Sequence, residues 1–150
     1  MKIISAHKSY IIIRVTLGIV FIWASVDKII NPEQFAEMIY NYKLVPSIII
    51  NSMATILPWL ELFTGTALII GFWERGALLI FNSLIIIFMV ALTSALIRGL
   101  DIQCGCFTVD PNADREIMNS LIRDFFMIIA GIWGLIKATQ NHPKQVGCQL

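Results

Sequence analysis

Four long runs of apolar residues dominate the pattern of hydrophobic and polar positions along this chain. They cover residues 10–30, 48–72, 76–97 and 121–138. A helix needs about 20 apolar residues to cross the hydrocarbon core of a bilayer, so each run has spanning length. Backbone polar groups in lipid must be satisfied within their own segment, which requires these runs to be helical. The pattern predicts an all-α protein, a four-transmembrane-helix bundle.

The link between the first two runs has a pattern of its own. Asn31 is a favoured helix-capping residue, and Pro32 suits the first helical position. Apolar side chains then recur at helical spacing, and polar ones occupy the rest of the turn. The apolar residues are Phe35, Met38, Ile39 and Tyr42. The spacing predicts an amphipathic helix that lies in the membrane interface between spans 1 and 2.

Composition supports membrane insertion and narrows the class of protein. Hydrophobic residues make up 57% of the chain and charged residues 14%, with a mean hydropathy of +0.78. Soluble domains carry about 25% charged residues, so a water-soluble fold of this length is excluded. We expect residues 1–150 to form a single integral-membrane domain. The net charge of +1 gives no broad basic surface for nucleic acid.

A few ionisable groups interrupt the apolar runs. Glu61 is the deepest carboxylate, three residues after Pro58, and Arg14 and Arg123 are its candidate partners. Glu61 either joins helices through an ion pair or acts as a proton carrier or quinone ligand. Trp59 could stack against a quinone ring. We therefore take Glu61, Trp59, Arg14 and Arg123 as the candidate cofactor-binding residues, with quinone as the expected cofactor and no metal.

The link between the third and fourth runs contains Cys104-Gly105-Cys106. Alternate Cα atoms of an extended chain are about 7 Å apart, whereas a disulfide needs about 5.5 Å. The two thiols can bond only if Gly105 lets the backbone turn, and such a strained disulfide is readily reduced. Cys104 and Cys106 are thus candidate catalytic residues for thiol redox chemistry. Binding of a soft metal ion, bonding to Cys148 and a structural role remain as alternatives.

The distribution of lysine and arginine predicts an orientation. An even number of spans places both termini on one side. That side, with the turn at residues 71–76, carries six lysines and arginines, and the other side carries five. The positive-inside rule then puts the termini in the cytoplasm and Cys104 and Cys106 on the periplasmic or extracellular face. We expect a multi-pass protein of the inner (plasma) membrane.

Several short motifs together resemble the MauE/DoxX family of redox-associated membrane proteins. They are Arg14-x-x-Leu17-Gly18, Lys28-Ile29, Asn31-Pro32, Phe35, Asn41-Tyr42-Lys43-Leu44-Val45-Pro46, Leu57-Pro58-Trp59-Leu60-Glu61, Gly65, Arg98-Gly99, Cys104-Gly105-Cys106-Phe107 and Arg123-Asp124. The similarity covers about residues 10–137, and the Cys-Gly-Cys-Phe segment is more typical of MauE than of DoxX. The resemblance implies a four-helix membrane bundle that supports disulfide chemistry together with a thioredoxin-like partner.

The sequence is therefore interpreted as a membrane thiol–disulfide oxidoreductase or redox accessory protein. Cys104 and Cys106 would cycle between dithiol and disulfide, exchange with the thioredoxin-like protein and pass electrons to a quinone near Glu61 and Trp59. Two alternatives belong to other classes. One is a protein that binds or transports a soft metal ion, and the other is a non-catalytic membrane subunit that scaffolds a larger complex.

Overall fold

Five α-helices make up the part of the chain that the structure, a computed structural model, describes, which is residues 2–98 and 117–141. Their bounds are α1 Lys2–Ile30, α2 Pro32–Asn41, α3 Ser47–Ile70, α4 Glu74–Ile97 and α5 Ile117–Asn141. The prediction of an all-α protein is confirmed. Three of the four predicted runs fall entirely within α1, α4 and α5. The fourth, 48–72, corresponds to α3, which ends two residues earlier at Ile70.

Three of these helices have the length and hydropathy of membrane spans. They are Lys8–Ile30 within α1, and the whole of α3 and α4. Only 33–39% of the most apolar stretch of each of these spans is buried inside the molecule. Large side chains such as Trp23, Ile56, Phe63 and Val90 point outward. An apolar exterior of this kind suits contact with lipid, and the chain is a membrane protein. A fourth span in α5 remains a prediction.

The four long helices pack as a square in which consecutive neighbours are antiparallel. α1 contacts α3 and α5, and α4 contacts α3 and α5. α1 and α3 approach most closely at two glycines, because a Cβ added to Gly18 would lie 2.7 Å from the carbonyl oxygen of Gly65. Only residues without a side chain permit this backbone-to-backbone contact. The close approach fixes how α1 and α3 are aligned along their lengths.

Side chains from the two diagonal helices, α1 and α4, fill the centre of the square. They meet in three layers with a constant offset of 60 residues: Arg14 with Glu74, Phe21 with Phe81, and Lys28 with Phe88. The layers repeat every seven residues, the spacing that keeps one helix face turned toward a nearly parallel partner. Large side chains bridge the diagonal because the two backbones do not come close.

The predicted amphipathic helix is present as α2, beginning at Pro32 after Asn31. Phe35, Met38 and Ile39 are buried against Ile50 and Ala54 of α3. The Asn31 side chain makes no capping hydrogen bond to α2 and instead donates to the backbone and side chain of Asp27. The apolar face of α2 thus packs on protein, and its position in the membrane interface stays a prediction.

Candidate functional site

The most deeply buried polar contact in the described helices joins Lys28 of α1 to Glu61 of α3. The Lys28 ammonium donates to both carboxylate oxygens of Glu61, at 2.7 Å to Oε1 and 2.8 Å to Oε2. Each side chain is only 1% exposed. Two charges withdrawn so far from solvent are stable only when they satisfy each other, and this two-point contact does so.

Aromatic rings and further carboxylates surround the Lys28 ammonium. The ring centroids of Phe35 and Phe88 lie 5.2 Å and 4.9 Å from its Nζ, within cation–π range. Asp124 of α5 is fully buried and lies within electrostatic range of Lys28, as does Asp27. We call Lys28, Glu61 and Asp124 the buried ion cluster. The cluster thus combines the Lys28–Glu61 ion pair with a buried carboxylate on a third helix whose charge acts on Lys28.

Arg123 and Tyr42 border the buried ion cluster. Arg123 contacts the neighbouring Asp124 carboxylate at 3.4 Å, and 40% of its side chain is exposed. Tyr42, which follows α2, is partly buried, and that burial raises the pKa of its phenol, with the negative charge of Asp124 adding to the shift. Tyr42 is therefore a protonated phenol at physiological pH, close to a buried carboxylate.

A second polar contact fastens the end of α4 to the segment after α2. The Arg98 guanidinium donates to the backbone carbonyls of Tyr42 and Lys43, both at 3.4 Å. Residues 99–116 connect Arg98 to α5, and Asp124 lies seven residues into that helix. The buried ion cluster therefore lies in the half of the molecule that contains both ends of this connecting segment, Arg98 and the start of α5.

The four residues predicted to bind a cofactor do not form one site. Glu61 is buried in the ion cluster, but Trp59 is two residues away on α3, on the outer surface, where it is 48% exposed and lies near Phe63. Residues two apart on a helix point in nearly opposite directions. Arg123 contacts the cluster at Asp124.

The predicted pairing of Glu61 with Arg14 or Arg123 is wrong, because its partner is Lys28. Arg14 lies two layers away, about 21 Å along α1 at 1.5 Å per residue. There it pairs with Glu74, which also accepts a hydrogen bond of 2.8 Å from Tyr10. Sequence reasoning missed Lys28 because it stands near the end of its run. Its spacing of fourteen residues from Arg14, two heptads along α1, was the signal that both share a face.

The predicted catalytic residues, Cys104 and Cys106, lie outside the described residues, as does Cys148. Their roles stay predictions. Within residues 2–98 and 117–141, no group of three or more histidine, cysteine, aspartate or glutamate side chains is arranged to hold a metal ion. The chemistry that the described site offers is thus that of carboxylates, an amine and a phenol, groups that hold or exchange protons.

Comparison with known proteins identifies the family. The family model described as methylamine utilisation protein MauE matches residues 6–137. Methylamine utilization protein MauE of Methylophilus methylotrophus is 31% identical over 108 residues, which cover 71% of this chain and 57% of that protein. The proteins of the same name from Paracoccus denitrificans and Methylorubrum extorquens are 27% and 29% identical over 96 residues, covering 63% of this chain and 52% of each relative.

Two further results concern the extent of these similarities. The chain spans little more than half the length of the curated relatives it matches. No solved structure gives a significant match. The family match nevertheless covers all but the outer ends of α1 and α5, together with the buried ion cluster and the Cys104-Gly105-Cys106 segment, in one continuous stretch. This chain therefore belongs to the MauE family.

Proposed function

We propose that this protein is a membrane redox accessory protein that exchanges disulfides with a thioredoxin-like partner through Cys104 and Cys106. The observation that carries the proposal is a thiol pair, Cys104-Gly105-Cys106, inside the stretch that matches the MauE family model. The names of the curated relatives associate them with methylamine utilisation. We extend this association to the present chain, which would support the formation of disulfides in a partner of such a system.

The exchange is a two-electron reaction in two steps. In the first, the Cys104–Cys106 disulfide accepts two electrons from the partner's dithiol, so that the partner gains a disulfide and this chain becomes the dithiol. In the second, the two thiols lose two electrons and two protons as the Sγ–Sγ bond forms again. A membrane quinone takes up both electrons and both protons and becomes the quinol. The cycle needs no metal ion.

The described structure supports this proposal through the buried ion cluster. Regenerating the disulfide releases two protons, and a thiol is a nucleophile only as the thiolate. The carboxylates of Glu61 and Asp124 are buried in the half of the molecule where the thiol-bearing segment begins and ends. Carboxylates in such surroundings are suited to accept and return protons. We assign them the role of holding protons during the second step.

The membrane arrangement in the proposal follows the charge pattern. α5 crosses the bilayer as a fourth span, the termini are cytoplasmic and both cysteines of the pair face the periplasm or cell exterior. A membrane-impermeant thiol reagent applied to intact cells should then label reduced Cys104 or Cys106 and leave Cys148 unlabelled. Labelling of Cys148 alone would reverse the orientation.

The central test changes the thiol pair one position at a time. Cys104→Ser, Cys106→Ser and Gly105→Val should each abolish the transfer of oxidising equivalents to a thioredoxin-like protein, since valine hinders the tight turn that closes the ring. Cys148→Ser is the matched control and should retain activity. Transfer is measured as loss of free thiols from the partner after quinone addition.

The alternative functions give different results in the same experiment. Two thiolates can share a metal ion without forming a ring, so a metal site predicts a mild effect of Gly105→Val and severe effects of both serine changes. A scaffold subunit predicts full function in all three variants. The redox proposal is abandoned if the protein, isolated without reductant and exposed to quinone, never shows a disulfide at Cys104 or Cys106.

A further inference from the structure

An open groove runs along the outer surface between α4 and α5. It has a volume of about 590 Å³, and its walls are almost entirely apolar, with side chains including Ile86, Met89, Val90 and Ile128. None of the described residues that line it is acidic. Because this surface belongs to a span, the groove opens toward the lipid rather than toward water.

Hydrogen-bond donors are concentrated at one end of the groove, where Thr93, Ser94 and Arg98 line it. Helical hydroxyls elsewhere, such as those of Thr64 and Ser83, donate to a carbonyl one turn earlier. The hydroxyls of Thr93 and Ser94 make no hydrogen bond in the described structure. Two hydroxyls and the N–H groups of Arg98 other than those of its Nη1, which donates to the Tyr42 and Lys43 carbonyls, are therefore available to an occupant at this end.

The length and depth of the groove match one leaflet of a bilayer. From Ile86 to Ile97 the groove follows α4 for eleven residues, or about 16 Å at 1.5 Å per residue. Half of the hydrocarbon core is about 15 Å thick. Arg98 directly follows Ile97, the last residue of the span. Its guanidinium thus stands at headgroup depth, with the apolar walls extending from there toward the middle of the bilayer.

We propose that this groove binds one anionic phospholipid, whose phosphate is held by Arg98, Thr93 and Ser94 and whose acyl chain lies along Ile86 and Val90. This end carries one positive charge and several hydrogen-bond donors, which complement a phosphate, and basic pockets beside membrane helices recognise anionic headgroups. A guanidinium without any acidic residue among the described lining favours a headgroup with net negative charge.

A quinone fits this groove less well. Its two carbonyl oxygens lie on opposite sides of the ring, whereas the groove offers donors at one end only. A site open along its length also suits a flexible acyl chain better than a flat ring. The lipid site is independent of the thiol chemistry, so either proposal can fail without the other.

Native mass spectrometry of the purified full chain tests the assignment. The protein is equilibrated in detergent with an equal mixture of phosphatidylglycerol and phosphatidylcholine. We expect wild type to retain one phosphatidylglycerol in preference to phosphatidylcholine. Arg98→Gln should reduce that preference by about tenfold, the loss of one charge-assisted contact. Thr93→Val, which leaves the Arg98 contacts to the backbone intact, should reduce it by a smaller factor.

A matched pair of tryptophan substitutions tests the apolar part of the groove. Val90→Trp fills it and should expel the bound lipid, whereas Ile87→Trp changes a similarly exposed residue on the same helix that does not line the groove, and should not. Thermal unfolding identifies variants that fold. Equal retention of the two lipids by wild type overturns the proposal, as does unchanged preference in both Arg98→Gln and Thr93→Val. Displacement of the lipid by a short-chain quinone would assign the groove to quinone instead.

Discussion

Removing one member of the Lys28–Glu61 pair should destabilise the protein severely. Glu61→Gln keeps the shape of the side chain but leaves the Lys28 ammonium, 1% exposed, without its two-point partner. Breaking a buried ion pair in this way costs about 3–5 kcal/mol, because the remaining charge is neither solvated nor paired. Asp124 still lies within electrostatic range of Lys28. We therefore expect the lower end, about 3 kcal/mol.

The same reasoning predicts that removing both charges is less harmful than removing one. Lys28→Met leaves the Glu61 carboxylate buried alone and should also cost about 3 kcal/mol. The double variant Lys28→Met/Glu61→Leu leaves neither charge, and apolar side chains of similar volume replace a buried ion pair at little cost. Its loss of stability should be smaller than that of either single variant, which makes the coupling energy of the cycle large and favourable.

Unfolding of the purified chain in mixed micelles, followed by far-ultraviolet circular dichroism as a denaturing detergent is added, measures these free energies. Glu37→Gln is the control, because Glu37 is exposed on α2 and its loss should change stability by less than about 0.5 kcal/mol. A loss below about 1 kcal/mol in Glu61→Gln would refute the reasoning, because it would mean that Glu61 is not needed to hold the Lys28 ammonium in the core. A double variant less stable than both single variants would also refute it.

Two further predictions concern packing and titration. Gly65→Ala places a methyl group 2.8 Å from the Gly18 carbonyl oxygen and should destabilise the protein by about 2 kcal/mol in the same assay, whereas Gly134→Ala meets only ordinary contacts from 3.4 Å and should be neutral or slightly stabilising. Asp124→Asn should lower the pKa of Tyr42, seen as phenolate absorbance appearing at lower pH, because one of the two causes that raise it is removed. A phenol whose pKa is raised on folding contributes stability below its ordinary pKa, near 10, so the wild type should lose stability as pH rises beyond that value and Asp124→Asn should lose less. An unchanged phenolate titration in Asp124→Asn would contradict the assigned cause.

The positions of the helices could be predicted from sequence because hydrophobic runs and breakers are local signals. The run at 76–97 corresponds to α4, which begins two residues earlier at Glu74, and Pro32 opens α2 as expected. The spacing of Phe35, Met38 and Ile39 predicted that they share one face of a helix, and the structure shows that this face is buried against α3. Each of these features depends on residues within a few turns of one another.

The partner of Glu61 could not be predicted in the same way, because it depends on the rotation and axial alignment of two separate helices. Close contact between Gly18 and Gly65 sets the alignment of α1 against α3, and that alignment brings Lys28 rather than Arg14 to Glu61. Nothing local to Glu61 encodes it. The separation of Trp59 from Glu61, in contrast, follows from helical geometry, since residues two apart face opposite ways.

The three layers between α1 and α4 determine whether polar groups connect the two ends of the bundle along this diagonal. Between the charged layers at Arg14 and Lys28 lies the Phe21–Phe81 layer, with ring centroids 4.4 Å apart and both side chains almost completely buried. Each layer is about 10 Å from the next along the helix axis. Along this diagonal, an apolar layer of two rings therefore separates the ion pair at Arg14 from the one at Lys28. In the exchange proposed above, protons released at the Lys28 end of the bundle would meet this apolar layer before they could reach the Arg14 end along the diagonal.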